Sequence, residues 1–144
     1  RDLILLKAKE IIIRDGQDKL SIRKIATEIE YSPATIYLYF QDKDEILYQM
    51  MQKGFELLAN EMTEIFKEPS ATKRVFLIGK AYVDFGMSNT DWYDLMFNSE
   101  APMKHIERCR AEWGHGIAIF EFLVATCDEA CKEQNVEHCR CMLK

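Results

Sequence analysis

Side chains suited to contact with a polyanion are concentrated between residues 23 and 43. Tyrosine and threonine hydroxyls can donate hydrogen bonds to phosphate oxygens, and lysine supplies positive charge. The planar fork of an arginine can in addition bind guanine through two hydrogen bonds. The residues of these types are Arg23, Lys24, Thr35, Tyr37, Tyr39 and Lys43. Each of them alone is a common surface or packing residue, so the elements that carry them decide the interpretation.

The pattern around these residues predicts two short helices separated by only Glu30 and Tyr31. Ser21 is placed to cap the first helix, and Ser32 followed by Pro33 marks the start of the second. Two short helices joined so tightly are typical of a helix-turn-helix, whose second helix fits the major groove of DNA. In that second helix Ile36 and Phe40 are four residues apart, so we expect them to face the core and to leave the tyrosines outside.

The remainder of the chain shows helical periodicity and no convincing alternation typical of strands, so the predicted fold class is all-α. Asp15 and Gly16 end a first helix, and Asp42 caps a long amphipathic segment that ends near Pro69. Further helices are predicted from about Ala71 to Met87 and from Met103 to about Glu133. Between them lies a short aromatic segment, residues 91–97.

Composition and charge distribution are compatible with a DNA-binding protein and argue against a membrane-spanning one. The chain has 144 residues, of which 48% are apolar, and a net charge of −5. Residues 1–53 hold nine basic and nine acidic residues, so the negative charge belongs to the rest and the first third can approach DNA. No apolar run is long enough to span a bilayer, and no signal peptide is recognisable, which favours a cytoplasmic protein without a membrane partner.

Three segments of the first third carry a family resemblance: Leu20–Ala26, Ser32–Phe40 and Lys43–Leu47. Together they resemble the DNA-binding domain of the tetracycline-repressor (TetR) family of bacterial transcription regulators. The resemblance implies a three-helix DNA-binding domain over residues 1–46 and a helical ligand-binding and dimerisation domain over residues 47–144. It also implies a repressor that binds a pseudo-palindromic operator as a homodimer and is released by a small molecule. By the same resemblance Tyr37, Tyr39 and Lys43 anchor the DNA backbone.

The sequence departs from the family pattern in two ways. Family members usually carry glycine in the turn where this chain has Glu30, and a left-handed backbone there costs a residue with a side chain about 1 kcal/mol or more. Family chains also continue through two more helices that form a dimerising four-helix bundle. Because this sequence begins at Arg1 and stops at Lys144, we expect it to be a fragment that lacks those helices.

The second region is rich in aromatic residues that could line a pocket for a small, partly apolar effector, with a histidine as a polar handle. Aromatic residues at helical spacing are also ordinary core residues, so the assignment of each one rests on the structure. The candidates are Tyr82, Phe85, Phe97, His105, Trp113 and Phe120.

Two other classes of function remain as alternatives. All five cysteines lie after residue 108, and a metal or thiol-redox sensor would use Cys127, Cys131, His138, Cys139 and Cys141. The spacing lacks the paired CxxC motifs of a zinc site, so we predict no metal site and no cofactor. His105 and Cys109 are one helical turn apart, but no nucleophile elbow or phosphate-binding loop accompanies them, so we predict that the protein is not an enzyme.

Overall fold

The computed structural model describes residues 1–109 and 114–136, and every regular element in them is helical, which confirms the predicted all-α class. The described residues form two compact units. The first comprises Arg1–Gly54 together with Thr90–Trp113, and the second comprises Phe55–Asn89 together with Gly114–Lys144. None of the described helices is both long and apolar enough to cross a membrane.

The first unit contains three helices of the predicted DNA-binding region and the beginning of a fourth. They are α1 (Asp2–Asp15), α2 (Ile22–Glu28), α3 (Pro33–Tyr37) and α4 (Lys43–Glu61). A single 3₁₀ turn, Gln17–Lys19, connects α1 to α2. The same unit also holds α6 (Thr90–Tyr93), a π-helical turn (Asp94–Asn98) and α7 (Ala101–Cys109).

A single apolar cluster holds the first unit together. The helix α1 contributes one face at three- and four-residue steps, and α2, α3 and α4 close over that face. Its buried members are Ile4, Ala8, Ile11, Ile12, Leu20, Ile22, Ile25, Ala26, Ile36, Phe40, Ile46, Leu47, Met50 and Leu95. Burial of each large side chain in such a cluster contributes about 1.5–3 kcal/mol relative to exposure.

The starts of α2 and α3 are fixed by side-chain caps. The Ser21 hydroxyl accepts a hydrogen bond from the Lys24 amide at 3.2 Å, and the Ser32 hydroxyl accepts one from the Thr35 amide at 3.2 Å. Both caps are as predicted, and such a cap contributes about 0.5–2 kcal/mol. Without them the seven-residue α2 and the five-residue α3 would each leave more unpaired amides in their first turn.

The turn between α2 and α3 is a Schellman motif with Glu30 in the position that glycine usually occupies. The Tyr31 amide donates to the Ala26 carbonyl at 2.9 Å, and the Glu30 amide donates to the Thr27 carbonyl at 3.3 Å. Glu30 itself has φ +58°, so this departure from the family pattern leaves the backbone left-handed and does not change the conformation of the turn. The helix-turn-helix therefore carries local backbone strain at its turn.

The helix α4 is shorter than predicted. It ends at Glu61, and residues up to Lys67 continue in i→i+3 hydrogen bonds, such as the one from the Met62 amide to the Ala59 carbonyl at 3.1 Å. The Thr63 hydroxyl donates to the same Ala59 carbonyl, which offers that carbonyl a partner outside the α-helical ladder. The apolar periodicity that extends to Ile65 therefore continues through a 3₁₀ turn, Ile65–Lys67.

The second unit is built from α5 (Ala71–Ser88) and α8 (Gly114–Glu133), which pack against each other. The single helix predicted from Met103 to Glu133 corresponds to α7 and α8, with residues 110–113 outside the described range. Arg74 of α5 pairs with Glu129 of α8, and the rings of Phe66 and Phe122 lie 4.1 Å apart.

The carboxylate of Glu133 caps the first turn of α5 from the end of α8. It accepts hydrogen bonds from the amides of Ala71 at 2.7 Å and Thr72 at 2.9 Å. These amide donors favour the ionised form and lower the pKa of Glu133 to about 2. The two helices of the second unit are thus joined by a charge-assisted cap.

Replacement of Glu30 by glycine should raise the free energy of unfolding by about 1 kcal/mol, because glycine adopts the left-handed conformation without a Cβ clash. Urea unfolding followed by circular dichroism measures the change. Glu30→Ala removes the same charge but keeps a Cβ, so it should give no such gain. Equal stabilisation by both variants would show that charge, and not backbone strain, governs this position.

The Glu133 cap should make stability depend on pH in a defined window. The pKa of Glu133 is lowered in the folded state, so its contribution is complete above the ordinary pKa of 4.5 and disappears as the pH falls towards 2. Glu133→Gln should therefore unfold at lower urea than the parent at pH 7, and the difference should shrink between pH 4.5 and 2. Glu121→Gln, a change at an exposed glutamate of the same helix, should show no such convergence.

Candidate nucleic-acid interface

The helix α3 ends at Tyr37, before Phe40, so it is shorter than predicted, but α3 and the turn after it divide their side chains between the core and solvent as predicted. Ile36 and Phe40 are 0% and 1% exposed, whereas Tyr37, Leu38 and Tyr39 are 57%, 80% and 50% exposed. Three large side chains in a row therefore project from the surface beside a buried anchor. An exposed ridge of two phenols and a leucine can donate hydrogen bonds to phosphates and make apolar contact with thymine methyl groups.

Thr35 lies at the start of the same helix and is half-buried. Its hydroxyl is 3.0 Å from the Ser32 hydroxyl, and its amide donates to that same oxygen. The Thr35 hydroxyl is thus held inside the cap of α3. It retains the capacity for a further hydrogen bond, since a hydroxyl has one donor and two acceptor positions.

Lys43 is the first residue of α4, and its ammonium donates to the Gln17 carbonyl at 3.1 Å. The first-turn amides of α4 are engaged by the chain itself, since the Glu45 amide donates to the Asp42 carboxylate at 2.9 Å. The Glu45 carboxylate in turn accepts from the Gln41 amide at 2.6 Å. Lys43 therefore offers its charge to a phosphate, while the helix start is already capped by carboxylates.

Arg23 and Lys24 are neighbours in sequence but have different surroundings. Arg23 is exposed, and no carboxylate of residues 1–109 or 114–136 lies within ion-pair distance of it. The Lys24 ammonium is 2.8 Å from the Asp15 carboxylate of α1. Arg23 thus remains the candidate for reading a base, whereas Lys24 would have to leave Asp15 in order to bind a phosphate.

The Lys24 pair belongs to a small charge network at the junction of α1 and α2. The Arg14 guanidinium pairs with Asp15 at 2.8 Å and with Glu28 at 2.5 Å. Hydrogen bonds from Arg14 and Lys24 hold the pKa of Asp15 well below its usual range, and Arg14 likewise lowers the pKa of Glu28. Because these groups are exposed, the network orients the two helices and adds little stability.

The five predicted pocket residues that the structure describes are divided between the two units. In the first unit, His105 is buried against the Tyr48 ring at 4.9 Å, and Phe97 is exposed beside Tyr93. In the second unit Phe85 is buried, Tyr82 is half-buried and Phe120 is exposed. Trp113 lies outside the described residues.

The second unit contains a cavity of about 340 Å³ between the end of α4 and α5. Of the predicted pocket residues, Phe85 contributes to its wall. The other wall residues, which sequence analysis did not select, mix apolar and charged side chains: Glu61, Ile65, Leu77, Lys80, Ala81, Asp84, Ser88 and Asn89.

Two of the cysteines proposed for a metal or redox sensor, Cys127 and Cys131, lie in the described part of α8. Cys127 and Cys131 are half-buried free thiols, and burial raises the pKa of the Cys127 thiol. A raised pKa disfavours the nucleophilic, metal-binding thiolate. No group of three potential metal ligands occurs within residues 1–109 and 114–136, and His138, Cys139 and Cys141 lie outside them.

Comparisons with known proteins agree with this geometry. Residues 4–50 match the sequence profile of the bacterial regulatory proteins of the tetR family. An uncharacterized HTH-type transcriptional regulator of Haemophilus influenzae is 28% identical over 108 residues, which cover 69% of this chain and 57% of that protein. The fatty acid metabolism regulator protein of Bacillus subtilis is 31% identical over 70 residues, which cover 49% of this chain and 36% of that protein. The chain thus spans about half or less of the length of these relatives.

Solved structures share the fold across nearly the whole chain. The TetR family transcriptional regulator PfmR from Thermus thermophilus aligns with a TM-score of 0.66 at 18% identity, covering 94% of this chain and 74% of that one. The fatty acid degradation regulator FadR from Bacillus halodurans aligns with a TM-score of 0.53 at 14% identity, covering 95% and 86%. The match over residues 4–50 thus identifies that segment as the helix-turn-helix domain of the tetR family of bacterial regulatory proteins, and the helices that follow share the fold of solved TetR-family structures.

Proposed function

We propose that the protein is a ligand-responsive repressor that binds a pseudo-palindromic DNA operator as a homodimer. The observation that carries the proposal is the exposed ridge of Tyr37, Leu38 and Tyr39 at the end of α3, which buried Ile36 and Phe40 anchor on either side. Such a ridge is costly to leave in water and fits a groove of duplex DNA. A dimer is proposed because one recognition helix reads too few base pairs for a specific site. As a regulator of bacterial genes it would act in the cytoplasm.

In this proposal some side chains on and near α3 contact phosphates and others contact bases. Tyr37, Tyr39 and Lys43 contact phosphates, and Thr35 contacts a phosphate or a base edge. Arg23 reads a base, because it is exposed and keeps its bidentate fork available. Lys24 adds positive charge that is partly offset by Asp15.

The proposed effector is a small, partly apolar molecule that shifts the protein away from its DNA-binding conformation. The cavity of the second unit supports a small, partly apolar effector. Its volume lies at the lower end of the range for ligand pockets, and its wall contains both apolar and polar side chains. The name of the Bacillus subtilis relative, a fatty acid metabolism regulator, also favours an apolar effector. Tyr82, Phe97, His105, Trp113 and Phe120 stay predicted pocket residues.

Selection from a random duplex library tests the function directly. At moderate salt the protein should enrich an inverted repeat whose half-sites lie about one or a multiple of one helical turn, 10–10.5 base pairs, apart. Enrichment of no inverted repeat would contradict the operator proposal. Single-site enrichment without symmetry would contradict its dimeric part alone.

Substitutions should separate base reading from backbone contact. Arg23→Ala should cost about 1–3 kcal/mol on the selected duplex and change the preferred base at one position of each half-site. Lys43→Ala and Tyr39→Phe should weaken binding to all duplexes alike, and Lys43→Ala should also reduce the salt slope by about 1. Arg23→Lys is the matched control, because it keeps the positive charge but loses the planar guanidinium that can form two hydrogen bonds to one base. Retention of base preference by Arg23→Lys would remove Arg23 from base reading.

A further inference from the structure

The cations of the first unit differ in whether a carboxylate already neutralises them. Lys7 pairs with Glu10, Arg14 with Asp15 and Glu28, and Lys24 with Asp15. Two others lie over aromatic rings, Arg1 over Phe40 at 5.2 Å and Lys9 over Trp92 at 5.1 Å. A cation in an ion pair must give up that partner before it can neutralise a phosphate, so the paired residues are poor candidates for backbone contact.

Lys19 belongs to a different group. It is exposed at the end of the 3₁₀ turn, and within residues 1–109 and 114–136 no carboxylate lies within ion-pair distance of it. It shares this condition with Arg23. Lys43 is similar, since its ammonium donates to a carbonyl, which leaves the positive charge in place.

Lys19 lies in the chain between Gln17, whose carbonyl binds Lys43, and Arg23 at the start of α2. Leu20 is buried in an extended conformation, so the side chains on either side of it, Lys19 and Ser21, leave the core together. Ser21 caps α2, and Arg23 is the second residue of that helix. The Lys43 ammonium donates a hydrogen bond to the carbonyl of Gln17, which is two residues before Lys19.

We propose that Lys19 is a second backbone-contacting cation of the DNA interface, acting with Lys43 beside the base-reading Arg23. This inference rests on the proposed DNA-binding function and adds a residue that the recognition helix does not contain. Its phosphate contact would carry no sequence preference, because it is made to the backbone.

Asp18 opposes this role and supplies a second test. It is exposed on the same 3₁₀ turn, directly before Lys19, and its negative charge repels a phosphate that approaches there. Removal of that charge should therefore strengthen binding, in the opposite direction to the loss of Lys19.

The experiment measures the dependence of the DNA association constant on salt with the selected duplex and with an unrelated duplex. Lys19→Gln should reduce the slope of log K against log[salt] by about 0.9 per protomer and weaken binding to both duplexes by a similar factor. Lys7→Gln changes the net charge equally at a cation already paired with Glu10, so the slope should stay at the parent value. Asp18→Asn should raise the affinity for both duplexes.

The outcomes distinguish this inference from the function on which it rests. If the parent protein binds the selected duplex and Lys19→Gln has the same slope as Lys7→Gln, Lys19 is not a backbone contact while the DNA-binding function stands. If the parent binds no duplex above background, both proposals fail. A loss confined to the selected duplex would also overturn the inference, since it would indicate base reading.

Discussion

Burial of Ile36 and Phe40 is the constraint on which the DNA-facing surface depends. A helix of five residues gains too few hydrogen bonds to form alone in water, so α3 forms because the first unit's core accepts Ile36 from the helix and Phe40 from the turn after it. Their burial contributes about 1.5–3 kcal/mol each, more than the cap at Ser32. The position of Tyr37 and Tyr39 in space is therefore decided by residues that would never contact DNA.

The parts of the structure that follow local rules were predictable from sequence. The caps at Ser21 and Ser32 and the two faces of α3 depend on residues within one helical turn of each other, and the structure confirms them. For Glu30 the comparison with the family pattern indicated either a different turn or a strained one, and the structure shows the left-handed, strained conformation. The caps and the two faces of α3 were predictable because residues close in sequence determine the local backbone geometry on which they depend.

Features that depend on contacts between elements were not predictable in the same way. The apolar periodicity of α4 continues past Glu61, but the hydrogen bonds change type there, and periodicity cannot report that change. The pairing of Lys24 with Asp15 joins two helices across a turn, so the sequence shows two charges but not their contact. Lys19 lies in a short turn between two helices, and the proposal for it depends on carboxylate partners that other cations have and that Lys19 lacks among the described residues. Backbone contacts cannot be ranked from residue type alone, because the free energy of each depends on the existing partner.

The hydrogen bond from Lys43 to the Gln17 carbonyl has a further consequence, which concerns conformational entropy. A free lysine side chain loses about 1.5–2 kcal/mol of rotamer freedom when it is fixed. The Lys43 ammonium is already directed by one hydrogen bond, and two of its three N–H groups remain available to an anion. Part of the loss of side-chain freedom of Lys43 has therefore already occurred in the protein without DNA. A substitution of Gln17 that distorts the 3₁₀ turn would move this carbonyl. It would then weaken the proposed contact between Lys43 and a phosphate, although the Gln17 side chain takes no part in that contact.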